Sequence, residues 1–213
     1  MMDRMKEMLT WHRASFDESP IGKGFDMEVN EFDFRADGGV AYEQRGVKIA
    51  HWRQSHTEDG ASAYRLDWNG MCVAFTGDGR PNSLTIKYAQ GCDLLITEVQ
   101  PELMAISAAV NGVLPVIGRN TIDMAHNPGY AAGYLFNKVK PRMAMTTHMG
   151  YDTYSNPELL AEIRHHYKGP FHFGAPDMIV VNLTRDKVWV RDGVVPDFPS
   201  QAPPKFDIAA MGG

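Results

Sequence analysis

Three side chains that could bind a metal ion each follow directly on a strand-like run of the sequence. His56 closes the run GVKIAHWRQSH, Asp78 closes MCVAFTGD, and His148 closes RMAMTTH. Loops at the carboxyl ends of strands hold the functional sites of α/β sheets, so neighbouring strands would bring these groups together. Two imidazoles and a carboxylate are suitable ligands for Zn²⁺, Fe²⁺ or Mn²⁺. The pattern therefore predicts a metal site formed by His56, Asp78 and His148.

The loop Gly77-Asp78-Gly79 also admits a simpler interpretation. An aspartate between glycines is commonly a turn residue whose carboxylate accepts a hydrogen bond from its own backbone. A single histidine after a strand is commonly a boundary residue with no chemical role. Each residue taken alone favours the simpler interpretation, whereas three strand ends in this order favour the metal site. Glycines on both sides would let the carboxylate project from the strand end.

A fourth candidate, His126, stands just before the helix start predicted at Asn127-Pro128. It could flank the helix cap, or it could face the site as a general acid. Glu98, at the end of the run DLLITEV, would then orient His126 by accepting a hydrogen bond. The sequence leaves both alternatives open. His165 and His166 stand beside charged residues on a predicted helix and are interpreted as solvated.

Turn and capping signals predict the elements that position these residues. The runs SAYRLDW and MCVAFT flank Asn69-Gly70, a strong hairpin signal. Pro81 at a first helical position and Gly91 just past the end bracket a helix, and further helices begin at Asn127-Pro128 and Asn156-Pro157. The remaining predictions are helices at residues 3–16 and 102–111, strands at VNEFDF, GVKIAHW, DLLITEV and RMAMTT, and a terminal hairpin formed by MIVVNL and KVWVR. Alternating strands and helices with flanking hairpins indicate a mixed α/β layered domain.

Composition restricts the partners and the compartment. The 213 residues carry a net charge of −5, which argues against nucleic acid as a partner. No run is long and apolar enough to cross a membrane, and the opening MMDRMKEMLTWHR indicates a charged helix instead of a signal peptide. We therefore expect no membrane partner and a cytoplasmic location, or one that the sequence leaves unknown. Cys72 and Cys92 are interpreted as two buried thiols, because a chain of this length needs no disulfide scaffold.

Three segments carry a resemblance to a known family. SHTEDGASAYRLDWNGMCVAFTGDGRPN, GCDLLITEV and MAHNPGYAAGYLFNKVKPRMAMTTH resemble the C-terminal half of metallo-β-lactamase-fold hydrolases, in the branch with ribonuclease Z-like and arylsulfatase-like members. The resemblance covers roughly residues 46–180. It maps the metal ligands of that family onto His56, Asp78 and His148, and likens His126 to the histidine of the helix-start segment. Gly79 stands where threonine is commoner in the family.

The resemblance implies a fold and a domain organisation. The fold would be an α/β layered αββα sandwich, shortened at its N-terminus, because the family signature His-x-His-x-Asp-His is absent from the 213 residues. We expect one domain over residues 1–195 and a Pro/Gly-rich arm over 196–213. Shortening would expose an apolar sheet face, so we expect a homo-oligomer, most simply a dimer, in which a second copy covers that face.

The resemblance also implies an activity. Complete family members bind two metals, and Asp78 would be the bridging carboxylate. With three retained ligands we expect one ion per chain or none, with Zn²⁺ first and iron or manganese as alternatives. Asp78 and His126 would be the catalytic residues in the hydrolysis of a small ester-like or lactone-like substrate through a metal-bound water, as in an esterase, lactonase or β-lactamase.

Two features favour a small substrate over tRNA. The chain is acidic, and the short stretch from Tyr64 to Thr76 leaves no room for the long arm of tRNA-processing relatives. The alternative function is a non-catalytic remnant of the fold that serves as a binding or assembly module.

Overall fold

The computed structural model of the chain divides into two compact units, residues 1–33 and 34–213. The described residues are 30–57, 60–101, 112, 114, 116–117, 124–149, 156–174 and 178–193, together with six positions between residues 4 and 11. In the first unit those six positions are helical, as predicted, and Arg4 pairs with Glu7 at 3.0 Å on the exposed surface. The helix predicted at 102–111 and the arm at 196–213 lie outside the described residues. The proposed domain boundaries stay a prediction.

The second unit is built on a seven-stranded sheet whose strands lie in chain order. The strands are β1 (Val40–Gln44), β2 (Val47–Arg53), β3 (Ser62–Trp68), β4 (Met71–Phe75), β5 (Leu94–Glu98), β6 (Met143–Thr147) and β7 (Phe171–Phe173). Neighbouring strands are antiparallel from β1 to β4 and parallel from β4 to β7. The mixed α/β prediction is confirmed, and the parallel half supplies the strand ends on which the candidate site depends.

Two tight turns join the antiparallel strands. Asn69 and Gly70 have φ values of 51° and 73°, the left-handed backbone that a two-residue hairpin requires, so the predicted β3–β4 hairpin is confirmed. Arg45 and Gly46 adopt the same geometry between β1 and β2. Their turn was not predicted, because arginine is an unusual first residue there. The strand predicted at VNEFDF is wrong: residues 30–34 form loop and turn, and β2 pairs with Val40–Gln44 instead.

In the described part of the chain, three helices of six or more residues lie in the connections between the parallel strands. They are α1 (Ser83–Tyr88), α2 (Gly129–Val139) and α3 (Asn156–His166). Asn82 caps α1 by accepting the Thr85 N–H at 2.8 Å, so Pro81 precedes the cap instead of standing at the first helical position as predicted. The helix starts predicted at Asn127-Pro128 and Asn156-Pro157 are confirmed within two residues.

The hydrophobic core joins these helices to the sheet. Trp52 of β2 is completely buried, stacks on Tyr88 at 5.8 Å between ring centroids, and donates its indole N–H to Thr85 Oγ1 at 2.9 Å. Phe136 of α2 packs against Tyr167 and Phe171. None of the described helices is long and apolar enough to span a membrane.

Large apolar side chains are exposed on the antiparallel half of the sheet. Tyr42, Tyr64, Leu66 and Phe75 are each more than a third exposed, and they surround an open pocket of about 430 Å³. The pocket is completed by Ala41, Ile49 and Val73, so its lining contains no charged side chain. We call these seven residues the apolar sheet face.

Cys72 and Cys92 are joined as a disulfide, which corrects the interpretation of two buried thiols. Cys72 lies in β4 and Cys92 precedes β5, and parallel pairing of these strands brings their Cα atoms to 5.1 Å. The spacing of the two cysteines along the chain does not signal this contact. Asp93 supports it, because its carboxylate accepts the Cys72 N–H at 2.8 Å and pairs with Arg142 at 2.7 Å.

The predicted terminal hairpin is confirmed as a separate two-stranded sheet of β8 (Ile179–Leu183) and β9 (Val188–Asp192). At its turn, Arg185 donates to the carbonyl oxygen of Asn69 at 3.0 Å. This contact ties the hairpin to the β3–β4 turn.

Candidate metal centre

The candidate metal centre lies at one edge of the seven-stranded sheet. Strands β4, β5 and β6 are parallel, and β2 runs in the same direction because β3 is antiparallel to both β2 and β4. The carboxyl ends of all four strands therefore meet at this edge. His56 follows β2, Asp78 follows β4, Glu98 is the last residue of β5, and His148 follows β6. The structure thus brings the strand ends that carry His56, Asp78 and His148, together with that of Glu98, to one edge of the sheet.

Short contacts join the side chains in pairs. His148 Nδ1 lies 2.7 Å from Asp78 Oδ1, and His126 Nδ1 lies 2.7 Å from Glu98 Oε2. Glu98 Oε2 also lies 3.7 Å from His148 Nδ1. The His126 ring stands between the rings of His56 and His148, at 5.5 Å and 6.0 Å between centroids. Three imidazoles and two carboxylates thus share one small volume.

These five residues form two overlapping groups of potential metal ligands. His56, Asp78 and His126 make one group, and Glu98, His126 and His148 make the other, with all ligand atoms of each group within 4.8 Å of one another. The structure brings together all four residues that the sequence singled out, but it places His126 at the centre of both groups. That any of them binds a metal stays a prediction.

The backbone of the Gly77-Asp78-Gly79 loop explains why glycines flank the aspartate. Gly77 has a φ of 63° and Gly79 a φ of 145°, conformations that side chains with a β-carbon rarely adopt. A β-carbon on Gly79 would also lie 2.6 Å from the carbonyl oxygen of Ser55. Arg80 N–H donates to that same oxygen at 2.8 Å, so the loop that carries Asp78 is tied to the segment that leads into His56.

Glu98 is the most buried of the candidate ligands and contacts both His126 and His148. Its side chain is completely buried, and its carboxylate accepts hydrogen bonds from the backbone N–H of Gly79 and from His126. Burial raises the pKa of Glu98 above its ordinary value, and the negative charge of Asp78 adds to this. The hydrogen bonds from Gly79 and His126 lower the pKa and offset part of that shift. The predicted Glu98–His126 hydrogen bond is present in the structure.

A layer of buried polar groups lies directly beneath the ligands. The Thr76 and Thr97 hydroxyls are 2.9 Å apart, and Asn127 Nδ2 donates to Thr97 Oγ1 and to the Glu98 carbonyl oxygen, both at 3.2 Å. Gln100 donates through Nε2 to the carbonyl oxygen of His148 at 2.7 Å. Sequence reasoning missed these residues. The only signal in the sequence was that Thr76, Thr97 and Gln100 stand at or within two residues of the ends of buried strands.

The other histidines in the described ranges do not belong to either ligand group. His165 is exposed on α3, as predicted, and its ring contacts His166, which in turn faces Tyr134 of α2. His51 is buried within β2.

The donor set fits a divalent cation such as Zn²⁺, Fe²⁺ or Mn²⁺. His56 Nε2 is buried without a hydrogen-bond partner among the described residues, while its Nδ1 lies 3.1 Å from the Thr57 hydroxyl. A buried imidazole nitrogen without a partner carries a desolvation cost that a metal ion would offset. Imidazole and carboxylate groups are the ligands that these cations take in proteins.

Several solved structures are similar to this chain. The metallo-β-lactamase fold protein YhfI from Bacillus subtilis is 16% identical over 73% of this chain and 54% of its own, with a TM-score of 0.51. Zn²⁺-bound PqqB from Methylobacterium extorquens is 13% identical over 75% and 56%, with a TM-score of 0.46. The long form of RNase Z from yeast is 22% identical over 56% and 15%, with a TM-score of 0.37. No family profile matches the chain, and neither does any curated protein.

These comparisons establish the fold and nothing finer. The likeness to YhfI, together with the seven-stranded mixed sheet, shows a metallo-β-lactamase-like α/β fold. The chain spans about half the length of YhfI and of PqqB. At these identities the likeness does not carry a substrate or a metal from one protein to the other.

Proposed function

We propose that the chain is a metal-dependent hydrolase whose centre lies at the carboxyl ends of β2, β4, β5 and β6. The observation that carries this proposal is the convergence of three histidines and two carboxylates at one sheet edge, with all ligand atoms of each group within 4.8 Å. Chance surface clusters of acidic groups are common, but they rarely include a buried glutamate and a buried imidazole nitrogen without a partner. The fold shared with a metallo-β-lactamase fold protein supports the same assignment.

We propose that His56, Asp78 and His148 hold a single ion, with zinc preferred and iron or manganese as alternatives, although His56 and Asp78 belong to one ligand group and His148 to the other, and His126 belongs to both. A divalent cation in this position supplies Lewis acidity, which polarises the scissile group and lowers the pKa of a water molecule to about 7. The protein contributes the placement of the ligands. Asp78 projects between two glycines, and its carboxylate lies 2.7 Å from His148 Nδ1, so these two side chains already face each other.

His126 is proposed as the general acid that gives a proton to the leaving group. Its Nδ1 is engaged by Glu98, which leaves Nε2 to carry or release a proton. The buried Glu98 carboxylate fixes the orientation of the ring. The alternative role for His126 is that of a metal ligand, since it belongs to both ligand groups.

We propose a small ester or lactone as the substrate. The β3–β4 connection is the two-residue turn Asn69-Gly70, so no arm reaches out from this part of the sheet. The net charge of −5 also disfavours a polyanionic substrate such as tRNA.

The apolar sheet face favours a second candidate function, that of an assembly module, and we propose that two copies of the chain associate through it. From strand spacing and rise, a face of four strands covers on the order of 300–400 Å². The largest apolar patch of a typical monomeric protein has about this size and is often functional. Because none of the seven lining residues is charged, two copies can face each other without like-charge repulsion. Assembly and hydrolysis are compatible, since they use different parts of the chain.

Metal content distinguishes the enzyme from the module. We would purify the chain without chelator and measure zinc, iron and manganese by mass spectrometry in wild type, in His148→Ala and in the surface control His165→Ala. The hydrolase predicts about one ion per chain in wild type and in the control, its loss in His148→Ala, and a parallel loss of aryl ester hydrolysis. Metal-free wild type without esterase activity would instead support the module.

A further inference from the structure

Gln100 connects three segments at the edge of the sheet that holds the candidate ligands. It lies two residues after Glu98 and is buried. Its side-chain Nε2 donates to the carbonyl oxygen of His148 at 2.7 Å, and its backbone N–H donates to the carbonyl oxygen of Asn127 at 2.9 Å. One residue thus ties the end of β5 to the His148 turn and to the segment that follows His126.

The backbone of His148 needs such support. His148 has a φ of 42°, in the left-handed region, although it carries a β-carbon and follows directly on strand β6. A residue of this kind costs about 1–2 kcal/mol relative to extended or helical backbone. The conformation persists only where surrounding contacts hold the peptide in place. The hydrogen bond from Gln100 is the contact that holds the carbonyl group of this residue.

The orientation of that peptide decides where the imidazole points. With the present backbone, His148 Nδ1 lies 2.7 Å from Asp78 Oδ1 and 3.7 Å from Glu98 Oε2. Relaxation of φ to negative values would rotate the Cα–Cβ bond and carry the ring away from both carboxylates.

We propose that Gln100 is a positioning residue that holds His148 in its left-handed backbone and thereby sets the affinity of the centre for a divalent cation. The part that concerns affinity rests on the proposed metal site. The part that concerns the backbone of His148 does not, and it can be measured in metal-free protein.

Gln90 offers a matched control. Its side-chain Nε2 also donates to a backbone carbonyl, that of Val139, at 3.1 Å. It follows α1 and contacts the last residue of α2, near the start of β5 and therefore at the sheet edge opposite the site. Gln90 is exposed and the Val139 carbonyl oxygen also accepts the Gly91 N–H at 2.9 Å, so Gln90→Leu controls for replacing a hydrogen-bonding glutamine with leucine without touching the ligands.

The test titrates the chelator-stripped full chain with Co²⁺ and follows the visible absorption of the bound ion. Gln100→Leu keeps the size of the side chain and removes its hydrogen bond. Gln100→Glu keeps the shape and places an oxygen against the carbonyl. Both variants should weaken Co²⁺ binding about tenfold or more, whereas Gln90→Leu should stay within about twofold of wild type. Circular dichroism tests whether each variant is folded. If Gln100→Leu does not fold, the comparison uses Gln100→Glu alone.

A second measurement needs no metal. The ¹³Cα and ¹³Cβ resonances of His148, which depend on φ and ψ, should move in either Gln100 variant as the backbone leaves the left-handed region, and they should stay in place in Gln90→Leu. Unchanged ¹³Cα and ¹³Cβ resonances, or unchanged Co²⁺ affinity in folded Gln100 variants, overturn the proposal. If wild type itself binds no Co²⁺, the proposed metal centre and the role of Gln100 in affinity are both wrong. The ¹³Cα and ¹³Cβ resonances then decide whether Gln100 holds the backbone of His148.

Discussion

Glu98 and His126 form a pair in which a completely buried carboxylate holds an imidazole at 2.7 Å. Replacing Glu98 with glutamine keeps the shape but turns one acceptor oxygen into a donor. His126 would then accept a hydrogen bond at Nδ1 and carry its proton on Nε2. In this tautomer Nε2 cannot take up and release the proton that general acid catalysis requires. We expect kcat of Glu98→Gln to fall about 10–100-fold, as for other groups that orient catalytic histidines. Kinetics with an aryl ester would measure this, and an unchanged kcat would contradict it.

The same glutamate should give the stability of the metal-free chain a pH dependence. The pKa of Glu98 is raised above 4.5, chiefly by burial, so between 4.5 and the raised value the folded chain keeps a proton that the unfolded chain has lost. This contribution is fully present below pH 4.5 and is lost as pH rises through the folded pKa. The free energy of unfolding should therefore decline less toward neutral pH in Glu98→Gln than in wild type. Urea unfolding with chelator tests this, with the exposed Glu158→Gln as control.

The two roles considered for His126 lead to different outcomes on substitution. If His126 is a general acid, His126→Ala should keep its metal and lose about 10²–10⁴-fold in kcat, together with one limb of its pH–rate profile. If it is a ligand, the metal should be lost as it is in His148→Ala. Metal content and pH–rate profiles of both variants, measured beside His165→Ala, separate the two roles.

Self-association through the apolar sheet face predicts a contrast between two leucines. Leu66 lies on that face and is 37% exposed, and Leu160 lies on α3 and is 36% exposed. Leu66→Lys should place like charges opposite each other and shift the dimer toward monomer, whereas Leu160→Lys should leave it unchanged. Sedimentation equilibrium measures the result. A wild-type chain that is monomeric at all concentrations would exclude this use of the face.

Gly79→Ala should be more destabilising than a glycine substitution in open space. The new methyl group would meet the Ser55 carbonyl oxygen in a backbone conformation with a φ of 145°. We expect a loss of about 3 kcal/mol in the free energy of unfolding. Gly91→Ala is the control, because Gly91 has a φ of 65° with nothing near its β-carbon position and should lose only about 1 kcal/mol. Urea unfolding of both variants makes the comparison, and equal losses would contradict the role of the Ser55 contact.

The sequence predicted the strand ends that meet at one edge better than it predicted the connections between them. His56, Asp78 and His148 lie at the same edge because β2, β4 and β6 run in the same direction, β2 through its antiparallel neighbour β3 and β6 through parallel pairing. The hairpin at Asn69-Gly70 was found because its residues favour left-handed backbone. Signals of this kind depend on residues that are close together in the sequence, so they can be recognised without the structure.

What could not be predicted depends on contacts between distant segments. Gln100 differs from any other strand-end glutamine only through the carbonyl group that the fold brings to it. The pairing of Cys72 with Cys92 requires knowing that β4 and β5 are parallel neighbours. The strand expected at residues 29–34 failed because β2 accepted a different partner, and strand choice is decided by pairing instead of by alternation alone.

The turn at Arg45 and Gly46 has a practical consequence. It lies at the amino end of β2, whereas the candidate ligands lie at the carboxyl end, so the whole length of the strand separates it from them. Gly46 has nothing within 4 Å of its β-carbon position. An affinity tag, a fluorophore or a surface tether introduced there would anchor the protein by its far side and leave the edge with the histidines open to the solution.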